Sequence, residues 1–130
     1  MTFHYKIDST LKAVVSTAVG SLNANEVNEH RDQLSADPEF DPTFAHMVDL
    51  SAVTDLQLTP AHIQALTRTP IFNATSKTAF VVQEDLVYGM SRIFRAWRDD
   101  DEHMNVFRSR DDALGWLEIS SGRATDGFGK

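Results

Sequence analysis

His46-Met47-Val48-Asp49-Leu50-Ser51-Ala52-Val53-Thr54-Asp55-Leu56-Gln57-Leu58-Thr59-Pro60 is the stretch on which the fold turns. Met47, Val48 and Leu50 give an apolar run that suits a strand covered on both faces, and the strand is predicted to run from Phe44 to Leu50. Ser51 onward reads as a polar exit. Thr59-Pro60 reads as a helix start, with Thr as N-cap and Pro at the first helical position, where its missing N–H costs nothing. Ile63 and Leu66 would face inward from this short helix, and Thr69-Pro70 would end it. Strand, exit and helix in that order form the repeating unit of a parallel sheet.

Upstream, Phe3 to Ile7 alternates apolar with polar, as a half-buried strand does. Asp8-Ser9-Thr10 is a turn cluster. Leu11 to Val19 is a second strand, ended by Gly20-Ser21, and the short connection makes the pair an antiparallel hairpin. Asn23 or Asn25 can cap a helix reaching about Ala36. Its apolar stripe is thin, Val27 and Leu34 with the stems of His30 and Arg31, so it is expected on the outside. Pro38 and Pro42 stop it.

Downstream, Lys77 to Gln83 is a fourth strand. Leu86, Val87, Met90, Ile93, Phe94 and Trp97 then share one face of a 3.6-residue period in a long helix opened by Glu84-Asp85. Asp99 to Glu102 is a solvated acidic turn. Met104 to Phe107 is a fifth strand, and Ser109 to Asp112 reads as a capping box before a last helix with Ala113, Leu114, Trp116 and Leu117 facing in. The order ββαβαβαβα predicts an α/β domain with a mixed, mostly parallel five-stranded sheet and helices packed on it, the hairpin strand being the one antiparallel member. Residues 1–119 make one domain and 120–130 a flexible tail.

Composition agrees with one ordinary globular domain: 130 residues, 42% hydrophobic and 24% charged. The absence of cysteine removes thiol catalysis, disulfides and Cys-ligated zinc. A net charge of -7 argues against a nucleic-acid partner, since phosphate backbones need clustered Lys and Arg. Met1 to Lys6 has no basic region followed by an apolar run, and no apolar run reaches the ~20 residues of a membrane span. A cytoplasmic protein without a transmembrane segment is the expectation.

Ligands in open α/β sheets gather beyond the carboxyl ends of the strands, near helix N-termini. Asp49 is the sharpest residue there. It could act as a base or orient a ligand; it could equally accept backbone N–H groups of the loop that follows, the commoner fate of a buried carboxylate. The Thr59 hydroxyl could carry a phosphate favoured by the helix dipole, or serve as a plain N-cap. His62, three residues on, would share its loop. Asp85 and Tyr88 stand at the next strand end. Arg92, Arg95 and Arg98 could meet an anionic partner or simply form a solvated face. The histidines show no metal-ligand spacing, and no Gly-rich phosphate loop or nucleophile elbow is present, so no metal, cofactor or catalytic residue is assigned.

Val48-Asp49-Leu50-Ser51-Ala52-Val53-Thr54 resembles the Asp-Leu-Ser-Gly-Val-Thr segment of anti-sigma-factor antagonist (STAS) domains. Ala36 to Pro42, Asp85 to Arg92, Val106-Phe107-Arg108 and Ala113 to Leu117 extend the likeness to the SpoIIAA-like group of small bacterial proteins, over about Phe3 to Leu117. The resemblance implies a STAS-like fold, shared in outline with lipid-binding Sec14-type domains. In phosphorylated STAS proteins an Asp-Ser-Ser-Gly segment lies at the helix start. Here Gln57-Leu58-Thr59-Pro60 occupies it, and Thr59 alone keeps a hydroxyl. The functional expectation is a non-enzymatic regulatory or protein-interaction domain with Asp49, Ser51, Thr54, Thr59, His62, Asp85, Tyr88 and Arg92 as partner-facing residues. The alternative is a small apolar-ligand or lipid binder roofed by the Leu86–Trp97 helix. A homodimer through an exposed tryptophan or the Gly89 helix is compatible with either.

Overall fold

The computed structural model describes residues 3–68, 71–73, 75–83, 85, 88, 89 and 103–118. Its elements are β1 (Phe3–Asp8), β2 (Ala13–Asn23), α1 (Ala24–Ala36), β3 (Ala45–Gln57), α2 (Pro60–Arg68), β4 (Thr78–Val81), β5 (Met104–Phe107) and α3 (Arg110–Trp116). The five strands lie in the order β1-β2-β3-β4-β5. β1 runs antiparallel to β2, and the remaining pairs are parallel. The mixed sheet is therefore the expected one. Of the long helix expected from Asp85, the described residues include Asp85, Tyr88 and Gly89; the remainder, with Arg92, and the tail from Ser120 lie outside the described residues.

Two strands are longer than their hydrophobic pattern predicts. β2 does not end at Gly20-Ser21 but pairs with β3 as far as Asn23 opposite Gln57. β3 does not end at Leu50, and the supposed polar exit is its outer half. The reason is a pair of register shifts. Thr17 lies opposite Asp49 and Val19 opposite Ala52, then Gly20 opposite Val53 and Ser21 opposite Asp55. At each shift β3 carries one residue more than β2, as in a β-bulge. A bulge reverses which parity of side chain faces the core. Val48, Leu50, Val53, Leu56 and Leu58 thus all join one apolar cluster although their spacing breaks the period of two. Gly20 sits at the second shift with φ of 76°, a left-handed conformation that glycine adopts freely.

With strands stepping in one direction, right-handed crossovers place the crossover helices on a single face. α1 packs there on β1 and β2, burying Val27, His30 and Leu34. Its N-terminus is closed by Asn23: Asn23 Oδ1 accepts the Glu26 N–H at 2.9 Å, and Glu26 Oε1 accepts the Asn23 N–H at 3.0 Å. The capping box fixes where the strand stops and the helix begins. α3 covers the other face, with Ala113, Leu114 and Leu117 against Val15, Met47, Ala79 and Val81 and half-buried Trp116 beside them, as expected. Ser109 Oγ accepts the Asp112 N–H at 3.3 Å at its start.

The core under α1 holds polar groups that the pattern did not announce. Ser16 is fully buried, and its Oγ lies 2.9 Å from His30 Nε2 and 2.8 Å from His46 Nε2. A hydroxyl has one proton and two acceptor lone pairs, so Ser16 donates to at most one of the two rings, and the tautomers of the histidines set the roles. His30 stacks on Phe3 at 3.9 Å and His46 on Phe72 at 4.5 Å, with the Tyr5 ring edge-on to His30. α1 lies on the outside of the sheet, and His30, 3% exposed, is its polar anchor. Burial, with smaller contributions from Arg31 and His4, pushes His30 down to about 4. Burial and then His30 push His46 down to about 3.

Both values lie below the ~6.5 of an unfolded histidine. The unfolded chain therefore takes up protons first as pH falls, so stability is complete above about 6.5 and declines below it. Urea unfolding of the protein should show a loss on the order of 3 kcal/mol between pH 7 and pH 4 from His30. His30→Gln, which keeps a polar nitrogen and cannot titrate, should flatten that dependence. An unchanged slope would contradict the buried neutral pair.

Candidate functional site

The residues expected to face a partner separate into three groups. Asp49 belongs to the α3 face. Its Oδ1 accepts the Ser51 N–H at 3.0 Å and the Ser51 hydroxyl at 2.6 Å, and its Oδ2 accepts from Arg110 Nη1 at 3.0 Å. The backbone acceptor role anticipated for Asp49 is present; the guanidinium from α3, 61 residues away in sequence, was not foreseen. Asp49 is a carboxylate fixed between strand and helix, and Arg110 locks α3 onto β3.

Asp85 and Tyr88 are joined through Arg108, at the carboxyl ends of β4 and β5. Arg108 donates to the Gln83 carbonyl at 2.7 Å and to Asp85 Oδ1 at 2.9 Å, and its guanidinium sits 4.3 Å from the Tyr88 ring centre. Tyr88 packs on the cluster that contains Val48 and Leu50, on the face opposite Asp49. Asp49 and Tyr88 do not converge in one cleft. The Asp85–Arg108 pair is solvent-exposed, where an ion pair contributes at most about 1 kcal/mol.

Thr59 and His62 form the third group, at the far end of β3. At ~3.3 Å per strand residue, Gln57 lies up to roughly 26 Å beyond Asp49. Thr59 Oγ1 accepts the His62 N–H at 3.2 Å, and the Thr59 N–H donates to His62 Nδ1 at 3.1 Å. This is a reciprocal cap in which histidine takes the place usually held by Glu or Gln. Because Nδ1 accepts, the ring proton sits on Nε2. Thr54 is exposed on the outer half of β3, at the second register shift.

His62 also lines a groove between α1 and α2. Ala24, Val27, Asn28, Arg31, Leu58 and Ala65 form the rest of its walls, around a volume of about 90 Å³. Val27, Leu58 and the alanines are apolar, whereas Asn28, Arg31 and His62 are polar. Burial lowers Arg31 from its ordinary value, and Asp32 opposes the shift. The groove was not legible in the chain, because its walls come from two helices separated by the whole of β3. Asn28 and Arg31 carried a usable signal: they flank Val27 and His30 on α1, at the margin of its buried stripe. Among the described residues, no three His, Asp or Glu side chains gather as metal ligands.

The sheet order, the single antiparallel strand and the two helical faces define a SpoIIAA-like α/β fold. Among solved structures, the chain is similar to an uncharacterised DUF3478-family protein with a SpoIIAA-like fold from Shewanella loihica PV-4. The TM-score is 0.55 at 19% identity, over 81% of this chain and 83% of that one. No family model and no curated protein matches the sequence. Among the described residues, no helix is long and apolar enough to cross a membrane.

Two substitutions test these assignments. Arg110→Met leaves Asp49 half-paired and should cost about 1–3 kcal/mol in urea unfolding; Asp49→Asn in the same chain should recover part of the loss, and strictly additive losses would contradict the pairing. Thr59→Ala should cost about 1 kcal/mol, and less in a His62→Ala background, because the cap is shared.

Proposed function

We propose that the protein is a non-enzymatic recognition domain that docks a protein partner across the groove between α1 and α2. The observation that supports this is the groove itself, whose walls join apolar Val27, Leu58 and Ala65 to polar Asn28, Arg31 and His62. Protein interfaces mix apolar and polar side chains in this way. The outer half of β3 and the Thr59–His62 cap adjoin it and extend the contact surface. At about 90 Å³ this groove is small beside the roughly 300–1,000 Å³ of small-molecule pockets, so it suits docked side chains better than a stored ligand.

We infer that docking does not wait on phosphorylation of Thr59. Its hydroxyl already accepts the His62 N–H, and a phosphoryl group there would have to displace the cap that orders the first turn of α2. Pro60, the next residue, has no N–H to offer a phosphate.

A photo-crosslinking amino acid at Ala65, installed in the cells that make the protein, should capture one partner as a discrete adduct. The same group at Asp111, on the opposite face, should not. Leu58→Asp should abolish the adduct while far-UV circular dichroism stays native. Equal capture from both positions would sink the proposal, as would none from Ala65.

A further inference from the structure

α1 is held on the sheet by a short buried face, Val27, His30 and Leu34. His30 is the middle member, one turn from each of the others, and 3% exposed. Phe3 stacks on its ring at 3.9 Å, Tyr5 meets it edge-on at 5.6 Å, and Ser16 Oγ lies 2.9 Å from its Nε2. His46 Nε2 lies 2.8 Å from the same oxygen. The Ser16 hydroxyl can donate only to an unprotonated Nε2. With both rings charged, each Nε2 carries a proton and the hydroxyl proton loses its acceptor within the trio. The charged groups around His30 do not offset a cation there. Arg31 on α1 and His4 on β1 both oppose it, and a charge on His30 in turn disfavours one on His46 of β3. Tyr5 stays a neutral phenol, its pKa raised by burial and then by Asp37, whose carboxylate accepts the Tyr5 hydroxyl at 2.8 Å.

The opposite face of the sheet is closed differently. α3 rests there on Val15, Met47, Ala79 and Val81, a cluster that contains no histidine, and Arg110 pins it to Asp49. We propose that His30, Ser16 and His46 form an acid-opened clasp: protonation of His30 lifts α1 from the sheet while the α3 face stays closed. A cation inside an apolar contact costs far more than one in water, and the released ring regains its hydration. Val27, Asn28 and Arg31 on α1 line the groove, so the groove loses one wall when the clasp opens. His30 stands at about 4 in place and at about 6.5 once released. The helix is therefore fully held above about 6.5, and its hold weakens as pH falls toward 4. The clasp operates whether or not a partner occupies the groove.

Native-state amide hydrogen exchange on the whole protein tests the clasp, with each rate corrected for the intrinsic pH dependence of exchange. Opening constants of the α1 amides from His30 to Leu34 should rise about twentyfold between pH 7 and pH 5, the factor that follows from a ring at about 4 in place and ~6.5 released. Their urea dependence should be shallower than that of global unfolding, because one helix opens and the rest of the sheet does not. The Ala113 and Leu117 amides of α3 should not share the rise, and His30→Gln should remove it from α1. An α1 opening with the full urea slope of global unfolding would overturn the clasp. So would an equal rise in α3, no rise in α1, or the same rise in His30→Gln. Should His30→Gln fail to fold, the wild-type ring decides: its NMR shifts should report a neutral imidazole in the folded protein at pH 5, and a charged ring there would remove the proposal.

Discussion

The structure depends on one ladder, the parallel pairing of β2 with β3. It runs from Ala13 opposite Ala45 to Asn23 opposite Gln57, well past the point where β1 stops at Ala18 and β4 at Asp49. A two-stranded ribbon is marginal in water without an apolar cover. Here the cover is possible because two bulges keep turning apolar side chains of β3 to the same side. Without them Val53 would point away from Leu50 and out of the apolar cluster the two share. The ladder also sets the function-bearing geometry. Its last pair, Asn23 and Gln57, delivers the chain into α1 on one strand and toward α2 on the other, so the two helices start side by side. The groove is the space between those starts.

Each face of the sheet is closed by an apolar helix surface with one polar anchor inside it. On the α1 face the anchor is His30 with Ser16 and His46; on the α3 face it is Arg110 with Asp49. Such contacts contribute little net stability compared with hydrophobic area, yet each fixes the position of a helix, because a misplaced helix leaves a buried donor or acceptor unpaired. Among the described residues no buried side-chain nitrogen or oxygen lacks a partner. That completeness ties α1 to the sheet next to the groove, and a groove with firm walls can discriminate between side chains of similar size.

Legibility in the sequence followed the range of the interaction. Thr59-Pro60 announced a helix start correctly, since a cap is made by residues three apart. The Asn23 cap, the hairpin, β5 and the inward face of α3 were equally local. Asp49 was singled out for the right reason, a carboxylate ending an apolar strand, but its partner Arg110 lies across the fold. His30 and His46 carried no recognisable spacing, because they meet through Ser16 on a third element. His62 was grouped with Thr59 in the chain, although its exchange of hydrogen bonds with Thr59 emerged only in three dimensions. Asp85 and Tyr88 were placed at one strand end, and Arg108 proved to be what joins them.

By itself, then, the chain determined the types and order of the described elements, the antiparallel entry into a parallel sheet and the start of α2. These follow from short-range rules: alternation, helical period, capping and the backbone limits of proline and glycine. Tertiary structure decided the true lengths of β2 and β3, the buried histidine–serine–histidine contact, the Asp49–Arg110 pair and the groove. The physical reason is common to all four. A bulge is defined against a neighbouring strand, and a buried polar group or a concave surface is defined by what packs on it. No periodicity along one segment can carry information about a surface that a second segment completes.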